Sequence, residues 1–360
     1  MYSKKFSENV LKWYSLNKRD LPWRYKNNSI KDPYKIWISE IMLQQTQANT
    51  VLNYFNKWIK KYPHLHNLQK ANISDLLKLW EGLGYYSRVQ NIFKASQLLN
   101  EKYNNFIPKS YEELIKLPGI GDYTASAILS IAFNMPYPSI DGNFKRVLSR
   151  LFMIKNSNQV ESNFKKIVKK LYFDFEPRII NQAIMDLGRE FCTYQNPKCL
   201  ECPVNNECRA YISDTVTLYP KKNKRKKIPT YDVVVGVIYK NNKFLIAKRK
   251  KSGLLANMWE LPGGKKRKNE TDLECLNREI EEETTITVNK TQYIGNVKHQ
   301  YSHFKINIKL FKCQQNKGIA KPIESQDVQW ISKNEINNFI FPSATHKLFK
   351  LLNENNENSI

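Results

Sequence analysis

Four of the six cysteines in this chain fall in one short stretch, Cys192, Cys199, Cys202 and Cys208, with spacing C-x6-C-x2-C-x5-C. No other feature narrows the possible folds as far. Four thiolates from one loop suit either tetrahedral zinc or a four-iron cluster. In an intracellular chain, clustered thiols point to metal rather than to disulfides. Zinc sites more often come as two close pairs, and only Cys199 and Cys202 form a close pair here. Cys275 and Cys313 stand alone.

The 360 residues imply two domains or three, and an apolar fraction of 41% is enough for real cores. Basic residues number 58 against 33 acidic ones, a net charge of +25. That excess calls for a polyanion, nucleic acid before an acidic membrane surface. No apolar run approaches the ~20 residues of a membrane helix. The start, MYSKKFSENVLKWYSL, lacks the apolar stretch and small-residue cleavage site of a signal peptide. Collagen-like, disulfide-scaffold and membrane-spanning proteins are excluded. The expectation is a soluble cytoplasmic chain with no membrane partner.

Residues 1–212 read as all-α. Ile38, Ile41, Met42 and Leu43 lie close to a 3.6 period within a helix expected over Tyr34 to Thr50. Further helices are expected over Asn72 to Trp80, Tyr86 to Lys102, Ser110 to Lys116, Asp141 to Met153, Glu161 to Phe173 and Pro177 to Phe191. Ser74 and Ser110 are candidate caps, and Pro177 suits a first turn. Residues 213–229 form a linker, in which Lys221 to Lys227 (KKNKRKK) is exposed by like-charge repulsion. From Tyr231 the period shortens to β-runs, YDVVVGVIY and KFLIAKR, joined by an Asn241-Asn242 hairpin. A helix over Leu273 to Thr284 and strands over Gln292 to Lys298 and Phe304 to Phe311 make 230–360 an α+β domain.

The helical half carries the candidate chemistry. In Leu117-Pro118-Gly119-Ile120-Gly121, Gly119 and Gly121 let the backbone turn sharply before a helix starting near Tyr123. The exposed N–H groups of such a start can hold a phosphate. Asp141 follows at the head of another helix, then the cysteine loop. That order resembles the helix-hairpin-helix superfamily of DNA glycosylases, and the cysteine spacing equals that of its iron–sulfur members. The resemblance implies a [4Fe–4S] cluster on Cys192, Cys199, Cys202 and Cys208. This cluster would shape a loop whose Lys198 and Arg209 face DNA.

Two branches share that scaffold. The endonuclease III branch has a Schiff-base lysine where this chain reads LPGIGDYTA, with Tyr123 at that position. A phenol cannot form the imine, so a monofunctional enzyme is expected. Trp37-Ile38-Ser39-Glu40-Ile41-Met42-Leu43-Gln44-Gln45-Thr46 is similar, nearly residue for residue, to a helix of the MutY family of adenine DNA glycosylases. Leu21-Pro22-Trp23, Gly82-Leu83-Gly84-Tyr85-Tyr86-Ser87-Arg88 and Asp141-Gly142-Asn143-Phe144-Lys145-Arg146-Val147 extend the likeness. It implies excision of adenine mispaired with 8-oxoguanine or guanine in duplex DNA, by a monomer associated with the nucleoid. Glu40, flanked by apolar Ile38 and Ile41, is the expected acid that protonates adenine and then activates water. Asp141 is the expected ionised partner that stabilises the cationic sugar. Tyr123 and Asn143 are expected to orient the pair. Gln45 and Tyr85 match inserted residues, and Arg88, Gly119, Gly121 and Lys145 are expected at the DNA.

The second half resembles a Nudix box, Gly264-x5-Glu270-x7-Arg278-Glu279-Ile280-x-Glu282-Glu283, but Thr285 stands at the usual late glycine. In Nudix hydrolases such glutamates hold Mg²⁺ against a diphosphate. In the MutY family the domain recognises 8-oxoguanine instead. His299-Gln300-Tyr301-Ser302-His303 matches the loop that does so, with Tyr301 where the family usually has Phe. Ser302 is the candidate reader, flanked by Tyr301 and His303. Tyr123 and the C-terminal domain argue against one rival, an endonuclease III-like lyase, and the intact pair Glu40 and Asp141 argues against a second, a catalytically silent lesion sensor; a Nudix nucleotide hydrolase with a DNA-binding appendage is the third.

Overall fold

A computed structural model describes all residues except Met1, 25–31, 156–165, 169–170, 173–174, 222–226 and 358–360. Its backbone contacts divide the chain into two compact units, 1–71 with 90–224, and 72–89 with 225–360. Residues 72–89, deep in the helical half of the sequence, therefore group with the C-terminal unit.

The first helix, α1 (Tyr2–Asn17), went unanticipated. Phe6, Val10 and Tyr14 recur every fourth residue, and this stripe is buried. It joins Phe144, Val147 and Leu151 of α9 (Gly142–Phe152) and Ile180, Ile184 and Leu187 of α10 (Pro177–Glu190) in one core. Pro177 stands in the first turn of α10, as expected. Val168 and Leu171 enter the same core. The rest of the helix expected over Glu161 to Phe173 lies largely outside the described residues.

The single helix expected over Tyr34 to Thr50 is two. α2 (Pro33–Leu43) is capped by Asp32, which accepts from Tyr34 N, and α3 (Ala48–Lys61) follows. Between them, Gln44 N and Thr46 N close three-residue turns onto Ile41 and Leu43, and Gln45 takes φ 55°. A left-handed residue cannot continue a right-handed helix.

Beyond α4 (Leu65–Gln69) comes α5 (Ile73–Trp80), whose cap is Asn72; Ser74 donates its N–H to that cap rather than forming it. α6 (Ser87–Tyr103) and α7 (Tyr111–Leu114) follow, and Ser110 caps α7 as expected. α8 (Asp122–Ala127) runs into a π turn over Ile128–Ala132. After the cysteine loop, α11 (Arg209–Ile212) leads toward Tyr219. Tyr219 is buried, and its carbonyl accepts from Arg150 Nε at 3.0 Å, so the first part of the expected linker is folded chain. The basic run itself falls mostly outside the described residues.

The C-terminal unit is built on one mixed sheet. Its strand order is β3 (Trp259–Glu260), β2 (Lys243–Lys248), β1 (Thr230–Lys240), β6 (Lys305–Lys317), β5 (Thr287–Gln300). β4 (Gly263–Lys265) also pairs with β1, and β7 (Asp327–Ile331) with β2. β1 runs parallel to β6 and antiparallel to its other partners. Asn241 and Asn242 have φ of 49° and 60°, the backbone a two-residue hairpin needs. The two-residue period of β1 sorts its side chains. Val234 and Ile238 meet Leu276 and Ile280 of α12 (Asp272–Thr284), while Val235 and Val237 meet Leu348 and Leu352 of α13 (Ser343–Glu357). A helix thus covers each face of the sheet.

Candidate active site

The glycine turn before α8 is a close backbone approach. Gly119 has φ 81°, and a Cβ there would lie 2.8 Å from Cβ of Asn91 on α6. Gly121 caps α8, which places Tyr123 in the first turn.

A cavity of about 500 Å³ opens beside that turn. Glu40, Tyr123, Asp141 and Asn143 all line it, although up to about a hundred residues separate them in sequence. Glu40 is buried on α2 with Ile38 and Ile41 buried on either side of Ser39-Glu40, and the Tyr123 hydroxyl donates to its Oε2 at 2.9 Å. Burial pushes the Glu40 carboxyl up to about 7; Tyr123 and Arg24 pull it down, and Asp141 adds to the rise. Asp141 caps α9: its Oδ1 accepts from Phe144 N at 2.6 Å and its Oδ2 from the Asn143 amide at 3.0 Å. The cap role and the place in the cavity are therefore one arrangement. Burial raises the Asp141 carboxyl too, while those two donors and Arg146 act to keep its charge.

One turn apart on α9, Arg146 and Arg150 grip the start of the cysteine loop. Arg146 donates to the carbonyls of Cys192 and Gly188 and, at 2.8 Å, to Asn143 Oδ1. Arg150 donates to Thr193 O at 2.7 Å and reaches Cys192 Sγ at 3.4 Å. Gly188 on α10 permits this packing, because a Cβ there would lie 2.8 Å from Cβ of Asn143. Burial raises the Cys199 and Cys208 thiols, and Cys202 rises to about 12. Among the described residues no group of three or more His, Cys, Asp or Glu is arranged to hold a single metal ion. Cys192 nonetheless lies close enough to raise the thiols of Cys199, Cys202 and Cys208. With a guanidinium on Cys192 to offset thiolate charge, this donor set suits a four-thiolate iron–sulfur centre. Lys198 on that loop and Arg209 at the head of α11 are exposed.

Gln45 is exposed in its left-handed turn, and Lys145 is half-buried on α9. In the C-terminal unit Tyr85 is 42% exposed at φ 50°, not the core aromatic that its neighbour Gly84 would suggest. Arg88 differs from the expectation of a DNA contact. It is buried, donates to the carbonyls of Leu83, Gly84 and Tyr85, and stacks its guanidinium over Trp80 and Tyr85. It shapes the turn that displays Tyr85.

His299 ends β5, and the chain turns through Ser302 and His303 into β6. Tyr301 N donates to Phe304 O at 2.8 Å, which closes the turn. Tyr301 packs half-buried on Phe304 and His299, leaving Ser302 and His303 exposed at the tip. On α12, Arg278 binds Glu270, Glu279 and Glu282 at once, and Glu270 falls to about 2 through that contact. Glu283 is different: burial lifts it to about 8 while it accepts from Gly263 N. Thr285 takes the left-handed φ of 60° that a glycine would take at lower cost.

A family model of HhH-GPD superfamily base excision DNA repair proteins matches residues 38–170, and a NUDIX domain model matches 233–351. An adenine DNA glycosylase of Buchnera aphidicola subsp. Baizongia pistaciae is 39% identical over 71% of this chain and 73% of its own length. The adenine DNA glycosylase of Buchnera aphidicola subsp. Acyrthosiphon pisum is 36% identical over 84% of this chain and 85% of that one. The chain belongs to the adenine DNA glycosylase family. Human adenine DNA glycosylase is 29% identical across 96% of this chain and 73% of its own. Among solved structures, a thermostable thymine-DNA glycosylase superposes with TM-score 0.54 at 27% identity, covering 59% of this chain and 97% of that one. A non-covalent endonuclease III–DNA complex superposes with TM-score 0.50 at 25% identity, covering 58% and 95%.

The cavity of this adenine DNA glycosylase family member has walls that sequence reasoning missed. Arg24 binds Asp186 through both nitrogens, Nη2 at 3.0 Å, and Arg19 reaches the same carboxylate at 3.3 Å. Asp186 is buried, and Met185, Gln182 and Arg189 line the cavity beside it. Arg24 directly follows Leu21-Pro22-Trp23, so adjacency was the available signal. Met185 and Gln182 gave none, because they lie on α10 within an ordinary amphipathic stripe.

Proposed function

We propose that the chain hydrolyses the N-glycosidic bond of adenine mispaired with 8-oxoguanine or guanine in duplex DNA and leaves an abasic site. One observation carries the reading: a buried carboxyl with its pKa near 7, Glu40, shares a cavity with a second carboxyl, Asp141. This is the two-carboxylate logic of glycoside cleavage. An adenine in a duplex is out of reach until it is flipped, and Tyr85 and Gln45 would fill the gap.

Tyr123 donates to Glu40 Oε2, which leaves Oε1 free to carry the acidic proton. Glu40 passes that proton to a ring nitrogen of adenine. The C–N bond electrons leave with the neutral base, and Asp141 stabilises the positive charge on the sugar. Glu40, now ionised, takes a proton from the water that attacks the sugar carbon. Tyr123 at the lysine position makes the enzyme monofunctional. Cys192, Cys199, Cys202 and Cys208 would hold a [4Fe–4S] cluster that braces the DNA-facing loop. Ser302, with Tyr301 and His303, reads the oxidised guanine, whose N7–H and O8 normal guanine lacks. One chain supplies both readers, so a monomer suffices.

Duplexes carrying 8-oxoguanine·A, G·A or an oxidised pyrimidine, each with and without alkali, test this. The adenine strand should break only after alkali. Breaks without alkali, or breaks only at pyrimidines, would overturn the reading.

A further inference from the structure

Glu81, the C-cap residue of α5, is held by the C-terminal domain. Its Oε1 accepts from Phe341 N at 3.3 Å and lies 3.0 Å from His346 Nε2 on α13. Its Oε2 binds Lys78 Nζ at 2.6 Å, and that ammonium also reaches Phe339 O at 3.4 Å. These contacts are unlike an ordinary surface ion pair, which is worth little. The Glu81 side chain is only 16% exposed, and Phe341 is fully buried in the sheet core.

The turn beyond Glu81 is closed on itself. Trp80 Nε1 donates to Gly84 O at 3.0 Å, Gly82 N donates to the Tyr86 hydroxyl at 3.1 Å, and Arg88 ties three carbonyls. An internally bonded turn moves as one piece, so its position depends on its anchor. Tyr86 also lies near enough to bear on the ionisation of Tyr301, in the hairpin proposed to read the damaged base.

We propose that Glu81 and His346 are positioning residues that fasten the Tyr85 turn to the C-terminal domain, so that the domain that reads the opposite base also sets the wedge. The proposal rests on Tyr85 entering the base stack. Residues 72–89 fall within the span matched by the glycosylase family model, yet they pack as part of the other unit.

The test uses the full chain and a duplex with 2-aminopurine beside 8-oxoguanine·A, whose fluorescence rises on unstacking. Single-turnover excision and duplex affinity are measured alongside. Glu81→Ala should lower the fluorescence rise and the excision rate about tenfold, the loss of charge-assisted hydrogen bonds, with affinity changed less. His346→Ala, at a half-exposed position that folding tolerates, should lower both about threefold. The double variant should match Glu81→Ala alone, because the two residues make one contact. Glu81→Gln keeps the acceptor and should stay within about twofold. An undiminished rise in both alanine variants, or additive losses in the double, would overturn the fastening. Tyr85→Ala run in parallel separates the premise: if it too keeps the full rise, the wedge reading fails first.

Discussion

Glu40 and Glu283 are the same side chain in two domains, and burial raises both, to about 7 and about 8. A shifted carboxyl is therefore no mark of a reacting group by itself. Glu40 opens on a cavity that also holds Asp141, Tyr123 and Asn143, whereas Glu283 caps the backbone of Gly263. Glu270, which precedes the helix, and its helix neighbours Glu279 and Glu282 are all bound to Arg278. The difference lies in what each carboxyl faces. One has a phenol behind it and space in front; the other carboxylates are already satisfied by the protein.

That contrast breaks if the two glutamates respond alike. Glu40→Gln should lower excision roughly 10²–10⁴-fold, the contribution of a general acid, with duplex binding retained, while Glu283→Gln should leave excision within about twofold. A similar loss in both, read as single-turnover rates, would erase the distinction.

The cavity wall supplies the next effect. Asp186→Asn leaves Arg24 and Arg19 without their shared anion and should cost about 3 kcal/mol, as breaking a buried pair does. The denaturant midpoint reports it; an unchanged midpoint would show that the pair is not structural.

Titration sharpens the comparison further. Glu40 is neutral below about 7 and ionised above it, so kcat/KM should fall about tenfold per pH unit above 7. The folded chain should also lose stability as pH rises from the ordinary value of 4.5 through about 7, because ionising a buried carboxyl is costlier in the folded state. A flat rate profile between pH 7 and 9 would remove Glu40 as the acid.

The smallest effect is at the hairpin tip. Ser302→Ala removes one hydrogen bond worth about 1 kcal/mol, so the preference for 8-oxoguanine over guanine should narrow about fivefold. An unchanged ratio would take Ser302 out of the reading role.

Much of this was legible from residue order. The Asn241-Asn242 turn, the α12 helix and the hairpin around Ser302 follow from local periods and turn chemistry. Glu40 between Ile38 and Ile41 already suggested burial, and Tyr123 at the lysine position separated the two branches. The reading from local periods missed two turns. Gln45 interrupts a run that reads as one helix, because it takes a left-handed φ in a turn closed by Gln44 N on Ile41 O and Thr46 N on Leu43 O. Arg88 was expected at the DNA, and its guanidinium binds three carbonyls of its own turn.

By itself, the sequence determined the cysteine spacing, the two periods of hydrophobicity and the family likeness, all of which depend on residues close together or on motifs kept whole. Tertiary structure decided the acidity of Glu40, the Arg24–Asp186 wall and the grouping of residues 72–89 with the C-terminal domain. Desolvation and charge coupling act through space, and the groups that impose them here lie tens to hundreds of residues away along the chain.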